Sequence, residues 1–188
     1  MPSVPSRHQT KQDADRMKSG KGKPSEELVM VVDENNQPVG AVSRHVMRKA
    51  QLIHRATYIL VFNAKGHLLI HKRTGSKDIY PSHYDIAAGG VVLAGEKWLE
   101  AARRELAEEL GIEGVPLIFQ FEFYHEDSNN KVWGRVYSCQ YDGPVTFQAE
   151  EIEEGEFVPV DRVFQLAENN PFCPDGIHVL KKYLNEKA

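Results

Sequence analysis

The sequence predicts a mixed β-sheet covered by helices, an α+β or α/β sandwich of the α-β-α kind. Three observations predict it. Strand-like runs occur in pairs joined by turn residues. One long amphipathic helix falls between two such pairs, and two shorter helical stretches follow them. The chain is 188 residues with 41% hydrophobic content, enough for a core of a single domain and too short for several.

Residues 1–26 are rich in Ser, Lys, Pro, Gly and Gln, and few are apolar. Such a segment buries too little surface to offset its ordering entropy, so a disordered polar and basic tail is expected, with one domain over 27–188. Leu28–Val32 is a strand, Asp33–Asn36 a turn and Pro38–Val42 a second strand, together an N-terminal hairpin. Ser43 caps a short helix through Ala50. Thr57–Phe62 is a strong strand, turned back by Asn63–Gly66 onto a partner over His67–His71. Residues 73–83 form a loop, and 84–88 lead into Gly89 and Gly90.

The main helix spans Lys97–Leu110. Its apolar side is Leu99, Ala102, Leu106 and Leu110, and Gly111 stops it. Strands follow over Val115–Tyr124 and Lys131–Tyr141, joined by the turn Asp127–Asn130. Glu150–Glu154 reads as an acidic loop or turn and Phe157–Pro159 as a short strand. Helices then run over 161–168 and 175–185.

Composition excludes several classes. No run approaches the roughly 18 apolar residues of a membrane span, and the N-terminus lacks a secretory h-region, so a cytoplasmic protein is expected. Net charge is −4, which gives no general attraction to nucleic acid. Cys139 and Cys173 match no metal-ligand spacing and read as buried thiols.

The helix carries Glu105, Glu108 and Glu109 at i, i+3 and i+4, within an arc of about 100°. Like charges so placed repel, and a hard divalent cation such as Mg²⁺ or Mn²⁺ reverses the sign of that interaction. Residues 90–112 as a whole fit Gly-x5-Glu-x7-Arg-Glu-apolar-x-Glu-Glu-x-Gly-apolar without a gap. Seven fixed residues match by chance about once in 10⁸ starts, so the pattern is a signature.

That pattern is the Nudix box, and the chain resembles the Nudix hydrolase superfamily, which cleaves diphosphates linked to a further group X. The resemblance implies a Nudix α-β-α sandwich and a Mg²⁺- or Mn²⁺-dependent pyrophosphohydrolase in which water attacks phosphorus. It implies metal contacts from Glu105, Glu108, Glu109, Glu96 and the Gly90 carbonyl. Arg104 would orient Glu108, and the catalytic set is Glu105, Glu108, Glu109 and Arg104. Arg73, Lys77, Gly89 and Gly90 are expected to meet the substrate diphosphate. The general base is open between Glu109 and the later Glu150, Glu151 and Glu154. The expected partner is a small diphosphate metabolite, nucleoside-linked or otherwise. Strand Leu28–Val32, with its hairpin, offers an edge for a homodimer.

Beyond the box, Asp33-Glu34, His54-Arg55-Ala56-Thr57, Lys72-Arg73-Thr74, Lys77-Asp78 and Val132-Trp133-Gly134 resemble the YfcD-type branch, relatives of isopentenyl-diphosphate isomerase. That enzyme's cysteine position holds Gly89 here, and its glutamate falls near Lys131. Its three histidine positions hold Met47, His54 and Val91. Glycine and lysine supply no proton transfer at carbon, so hydrolysis is expected over isomerisation. A non-catalytic pyrophosphate-binding regulator is the remaining alternative, opposed by the intact set of box glutamates.

Overall fold

A computed structural model describes residues 24–187. The expected tail lies almost wholly outside these residues. Strands β1 (Leu28–Val32) and β2 (Pro38–Ser43) form the antiparallel N-terminal hairpin. Asp33 holds its turn by accepting backbone N–H groups of Asn35 and Gln37 through Oδ1. Helix α1 (Arg44–Lys49) starts where the Ser43 hydroxyl accepts the Val46 N–H at 3.4 Å.

Strand β3 (His54–Phe62) is the centre of the sheet. One edge pairs in parallel with β7 (Lys131–Gln140) along its whole length, from His54 opposite Val132 to Phe62 opposite Gln140. The other edge receives β1 at Val31–His54 and, further along, the irregular segment 88–93. β7 also carries β6 (Ile118–Glu126), its antiparallel partner through the Asp127–Asn130 turn.

The expected hairpin of β3 with its successor is therefore corrected. β4 (Leu68–Arg73) meets β3 only at Phe62–Leu68 and pairs instead with β8 (Ile152–Val158) and with β5 (Tyr84–Asp85). The turn at 63–66 sends the chain on to a different neighbour, because β3 already has a partner along each edge. The acidic loop or turn expected at Glu150–Glu154 holds for its first two residues and is corrected for the rest. A turn holds Glu150 and Glu151, and Glu153 and Glu154 lie on β8 with exposed side chains. β1 is flanked on both sides, so β2 is the hairpin's outer strand.

Alternation along β3 builds two cores. Tyr58 and Leu60 join Ile86, Phe121 and Val136 under α3 (Val160–Ala167) and α4 (Pro174–Lys187), which contribute Val163, Val179 and Leu180. Ile59 and Val61 face the opposite way, with Tyr137 and Ile152, against α2 (Trp98–Leu110). A sheet between α2 and the α3–α4 layer is the sandwich the sequence predicts. Among the described residues no helix is long and apolar enough to cross a membrane.

Helix α2 is rich in Ala, Leu, Glu and Arg, strong helix formers. Glu100 accepts the Lys97 N–H at its start, and Gly111 ends it at φ 66°. Its buried side is Ala101, Ala102, Leu106 and Leu110, together with Glu109. Leu99 is 37% exposed, which corrects its placement on the apolar side. The stripe turns by one residue so that Glu109 reaches the sheet. Leu106→Ala should therefore cost about 2–5 kcal/mol in denaturant melts, and Leu99→Ala no more than about 0.5 kcal/mol.

Candidate functional site

The site forms where residues 88–93 cross β3. Ile59 N–H donates to Ala88 O at 2.7 Å, Thr57 N–H to Gly90 O at 2.9 Å and Val92 N–H to Arg55 O at 2.9 Å. Gly89 has φ 146°, and a Cβ there would stand 2.0 Å from the Thr57 carbonyl oxygen. Only glycine fits, because backbone cannot yield by that much. At Gly90 a Cβ would stand 2.6–2.8 Å from the Glu105 carboxylate. Two residues without side chains thus let the α2 carboxylates reach the strand. The Gly90 carbonyl, expected to face a metal, already accepts the Thr57 N–H and keeps one lone pair.

Arg104 gathers the carboxylates. Its Nε and Nη2 donate to Glu96 at 2.8 and 3.0 Å, and its Nη1 to Glu105 at 2.7 Å and Glu108 at 3.3 Å. Nη2 also donates to the Val91 carbonyl at 3.2 Å. Glu96 in turn accepts the Leu93 N–H at 3.0 Å. The i, i+4 pairing with Glu108 is one of several contacts, and the guanidinium ties the helix to the 91–96 turn.

Glu109 sits apart from this cluster, buried to 5% exposure, with Oε2 accepting the Gly89 N–H at 2.9 Å. Burial, and then the neighbouring Glu105, push its pKa up to about 7, against Lys77, the Gly89 N–H and Arg73. Burial also raises Glu105, opposed by Arg104 and reinforced by Glu108.

Arg73, Lys77, Gly89 and Gly90 line one cavity beside these carboxylates. Arg73 forms an ion pair with Asp85 at 3.5 Å and donates to the Ile79 carbonyl, while its buried Nε has no partner. Lys77 pairs with Glu151. Burial and the adjacent Arg73 lower the Lys77 pKa to about 8.

Of the late acids, Glu151 is tied to the cavity through its ion pair with Lys77. Glu150 offers its backbone carbonyl to the Thr74 hydroxyl, and Glu154 accepts from Tyr84 Oη at 3.4 Å on the exposed face of β8. Among the described residues, no three His, Cys, Asp or Glu side chains converge as a ready-made cation cage. Arg104 stands among Glu96, Glu105 and Glu108, and Glu109 turns to Gly89.

The isomerase positions read consistently. Position 89 has no room for a cysteine side chain. Lys131 pairs with Glu126 at 2.8 Å across the β6–β7 turn. Met47, His54 and Val91 are buried, and the His54 ring contacts the Leu52 carbonyl through Nδ1 and Arg48 through Nε2. Burial and Arg48 lower its pKa to about 3, so the ring is neutral.

Several cavity residues carry no sequence signal. Tyr58, Asp85, Asn130 and Asp175 come from β3, β5, the β6–β7 turn and the first turn of α4. Arg44 and Arg48, at i, i+4 on α1, also line it. That spacing is the one visible hint.

Comparison with known proteins places this geometry in a family. A NUDIX domain model matches residues 52–178, and the chain belongs to the Nudix hydrolase family. An uncharacterized Nudix hydrolase of Pseudomonas aeruginosa is 42% identical over 159 residues, spanning 85% of this chain and 94% of its own length. The uncharacterized Nudix hydrolase YfcD of Escherichia coli K12 is 42% identical over 164 residues, 87% of this chain and 90% of YfcD. DR0079 from Deinococcus radiodurans, a crystal structure, is similar with a TM-score of 0.74 at 25% identity over 84% of this chain and 99% of its own. The MutT protein of Methanosarcina mazei shares the fold, with a TM-score of 0.63 at 23% identity over 72% of this chain and 95% of its own.

The Glu109 environment has a measurable consequence. Its carboxyl keeps its proton to about pH 7 when folded and loses it near 4.5 when unfolded, so its contribution to stability falls as pH rises between those values. In EDTA, thermal melts of Glu109→Gln should gain on the wild type between pH 5 and pH 8, the glutamine keeping the Gly89 contact.

Proposed function

We propose that the protein hydrolyses a diphosphate bond in a small metabolite with Mg²⁺ or Mn²⁺, water attacking phosphorus. The observation that carries this reading is the approach of two helix carboxylates, Glu105 at Gly90 and Glu109 at Gly89, to the glycine crossing beside Arg73 and Lys77. The donor set fits a hard cation. Glu109 is buried, and the part-buried Glu105 beside it raises its proton affinity, a repulsion that a divalent ion relieves. Glu105, Glu108 and Glu109 would hold it, with Glu96 and the Gly90 carbonyl alongside. When bound, such an ion supplies charge neutralisation at phosphate oxygens and lowers the pKa of water.

The chain's own residues do the rest. Arg73 and Lys77 balance diphosphate charge at the cavity. Gly89 and Gly90 leave backbone bare, so a phosphoryl group can lie close. Glu109, with a pKa of about 7, is suited to take a proton near neutrality through Oε1, Oε2 being held by Gly89. Glu151 instead balances Lys77 until substrate phosphate competes for that ammonium. Arg104 positions carboxylates and is not itself among the residues lining the cavity that holds Arg73 and Lys77.

The test is a panel of nucleoside diphosphates and triphosphates, sugar nucleotides, dinucleoside polyphosphates and isopentenyl diphosphate, with Mg²⁺ or EDTA. Hydrolysis of at least one member should depend on the metal and fall by about 10²–10³-fold in Glu109→Gln. Turnover that survives both EDTA and the substitution contradicts the reading.

A further inference from the structure

The cavity that holds Arg73 and Lys77 is too small for a diphosphate on its own. Its volume is about 60 Å³. A water-sized group takes roughly 10–15 Å³ of such volume, so about four fit, fewer than the oxygens of a diphosphate. Bound phosphate must therefore reach outward. An outer cavity of about 340 Å³ adjoins the inner one, and Arg44, Arg48 and Lys77 line both. Arg44 and Arg48 belong to α1, which precedes the matched domain at residues 52–178.

The three cations differ in what already holds them. Lys77 pairs with Glu151. Arg48 Nε donates to Asp78 Oδ2 at 3.0 Å and its Nη1 to Asn130 Oδ1 at 3.1 Å, so its fork is engaged. Among the described residues the Arg44 guanidinium has only two long ion pairs, Nε to Asp78 at 3.5 Å and Nη1 to Glu27 at 3.7 Å. Both lie beyond the usual length of an N–H···O hydrogen bond, so Arg44 keeps its donors. Of the acids on the outer cavity, Asp78 and Glu151 are held by Arg48 and Lys77, and Glu150 is exposed.

The backbone of Arg44 is fixed even though its side chain is loosely held. Its N–H donates to the Glu27 carbonyl at 2.8 Å, Ser43 caps the helix that it opens, and Met47 anchors that helix in the core. The Arg44 charge is felt at Lys77 and at Glu105. Burial, Arg73 and, more weakly, Arg44 lower the Lys77 pKa to about 8. Burial raises Glu105, and Arg104 and, more weakly, Arg44 oppose it. Resting on the diphosphate reading above, we infer that Arg44 is a substrate-binding residue supplied from outside the matched domain. Its guanidinium takes a phosphoryl oxygen of the diphosphate at the neck between the two cavities. The long pairs with Asp78 and Glu27 give way to a short, charge-assisted hydrogen bond.

Methylenediphosphonate, a diphosphate mimic whose P–C–P bridge resists hydrolysis, tests this by calorimetry on the full-length protein with Mg²⁺. Arg44→Met and Arg44→Gln should each weaken its binding roughly tenfold, the scale of one charge-assisted hydrogen bond. Arg44→Lys keeps the charge without the fork and should lose only about threefold. In turnover of an accepted panel substrate, the loss in Arg44→Met should fall on KM, with kcat changed by less than about threefold.

Equal binding of the mimic by wild type and Arg44→Met, or no binding by the wild type, overturns the inference. A loss in Arg44→Lys as large as in Arg44→Met, with both melting below the wild type, marks a structural role and overturns it too. Hydrolysis stands in each case if the wild type turns over a panel substrate. Arg44-dependent binding of the mimic without turnover of any panel member overturns the hydrolase reading and leaves the assignment of Arg44 standing.

Discussion

The close passage of residues 89 and 90 across β3 is the constraint on which the site depends. The chain there is hydrogen-bonded to Thr57, Ile59 and Arg55, and the helix carboxylates lie directly against it. A side chain at 89 would strike the Thr57 carbonyl, and one at 90 would strike Glu105. The two glycines therefore set the separation between strand and helix, and with it where Glu105 and Glu109 stand. The same geometry that admits the carboxylates leaves no room for a thiol at 89. Hydrolysis and isomerisation are thus separated by packing as well as by residue identity.

Charge is the second organising factor. Arg104 contacts Glu96, Glu105 and Glu108, so one guanidinium is shared among three carboxylates. Glu109 lies beyond its reach in a buried position, where only the Gly89 N–H and the more distant Lys77 and Arg73 oppose its desolvation. An excess of buried negative charge beside a cavity lined by positive side chains is what a metal–diphosphate complex would balance from both sides.

The helix bearing the box, its glycine stop, the Ser43 cap and the Asp127–Asn130 turn were legible in the sequence because each rests on short-range spacing. The pairing of β3 was not. Its main partner, β7, begins about 70 residues further on, and a parallel register leaves no local mark. Only the end of β8 was legible, in the short strand at Phe157–Pro159; its start was hidden by its own charges, since Glu153, Glu154 and Glu156 are exposed and Ile152 is the one buried residue before Val158. The placement of Leu99 failed for a chemical reason, since an apolar side was assumed where the helix buries the carboxylate Glu109. The same division holds at the site. Glu96, Arg104 and the three helix glutamates sit in one 23-residue stretch and could be read together. Tyr58, Asn130 and Asp175 meet only after folding, from segments with no shared pattern.

The central claim is that water attacks phosphorus. Turnover of any accepted diphosphate substrate in ¹⁸O-labelled water, with mass spectrometry of both products, tests it most directly. The account predicts one labelled oxygen in a phosphate-containing product and none in the carbon skeleton of X. Label bonded to carbon, or a rearranged double bond with no label in phosphate, would contradict it.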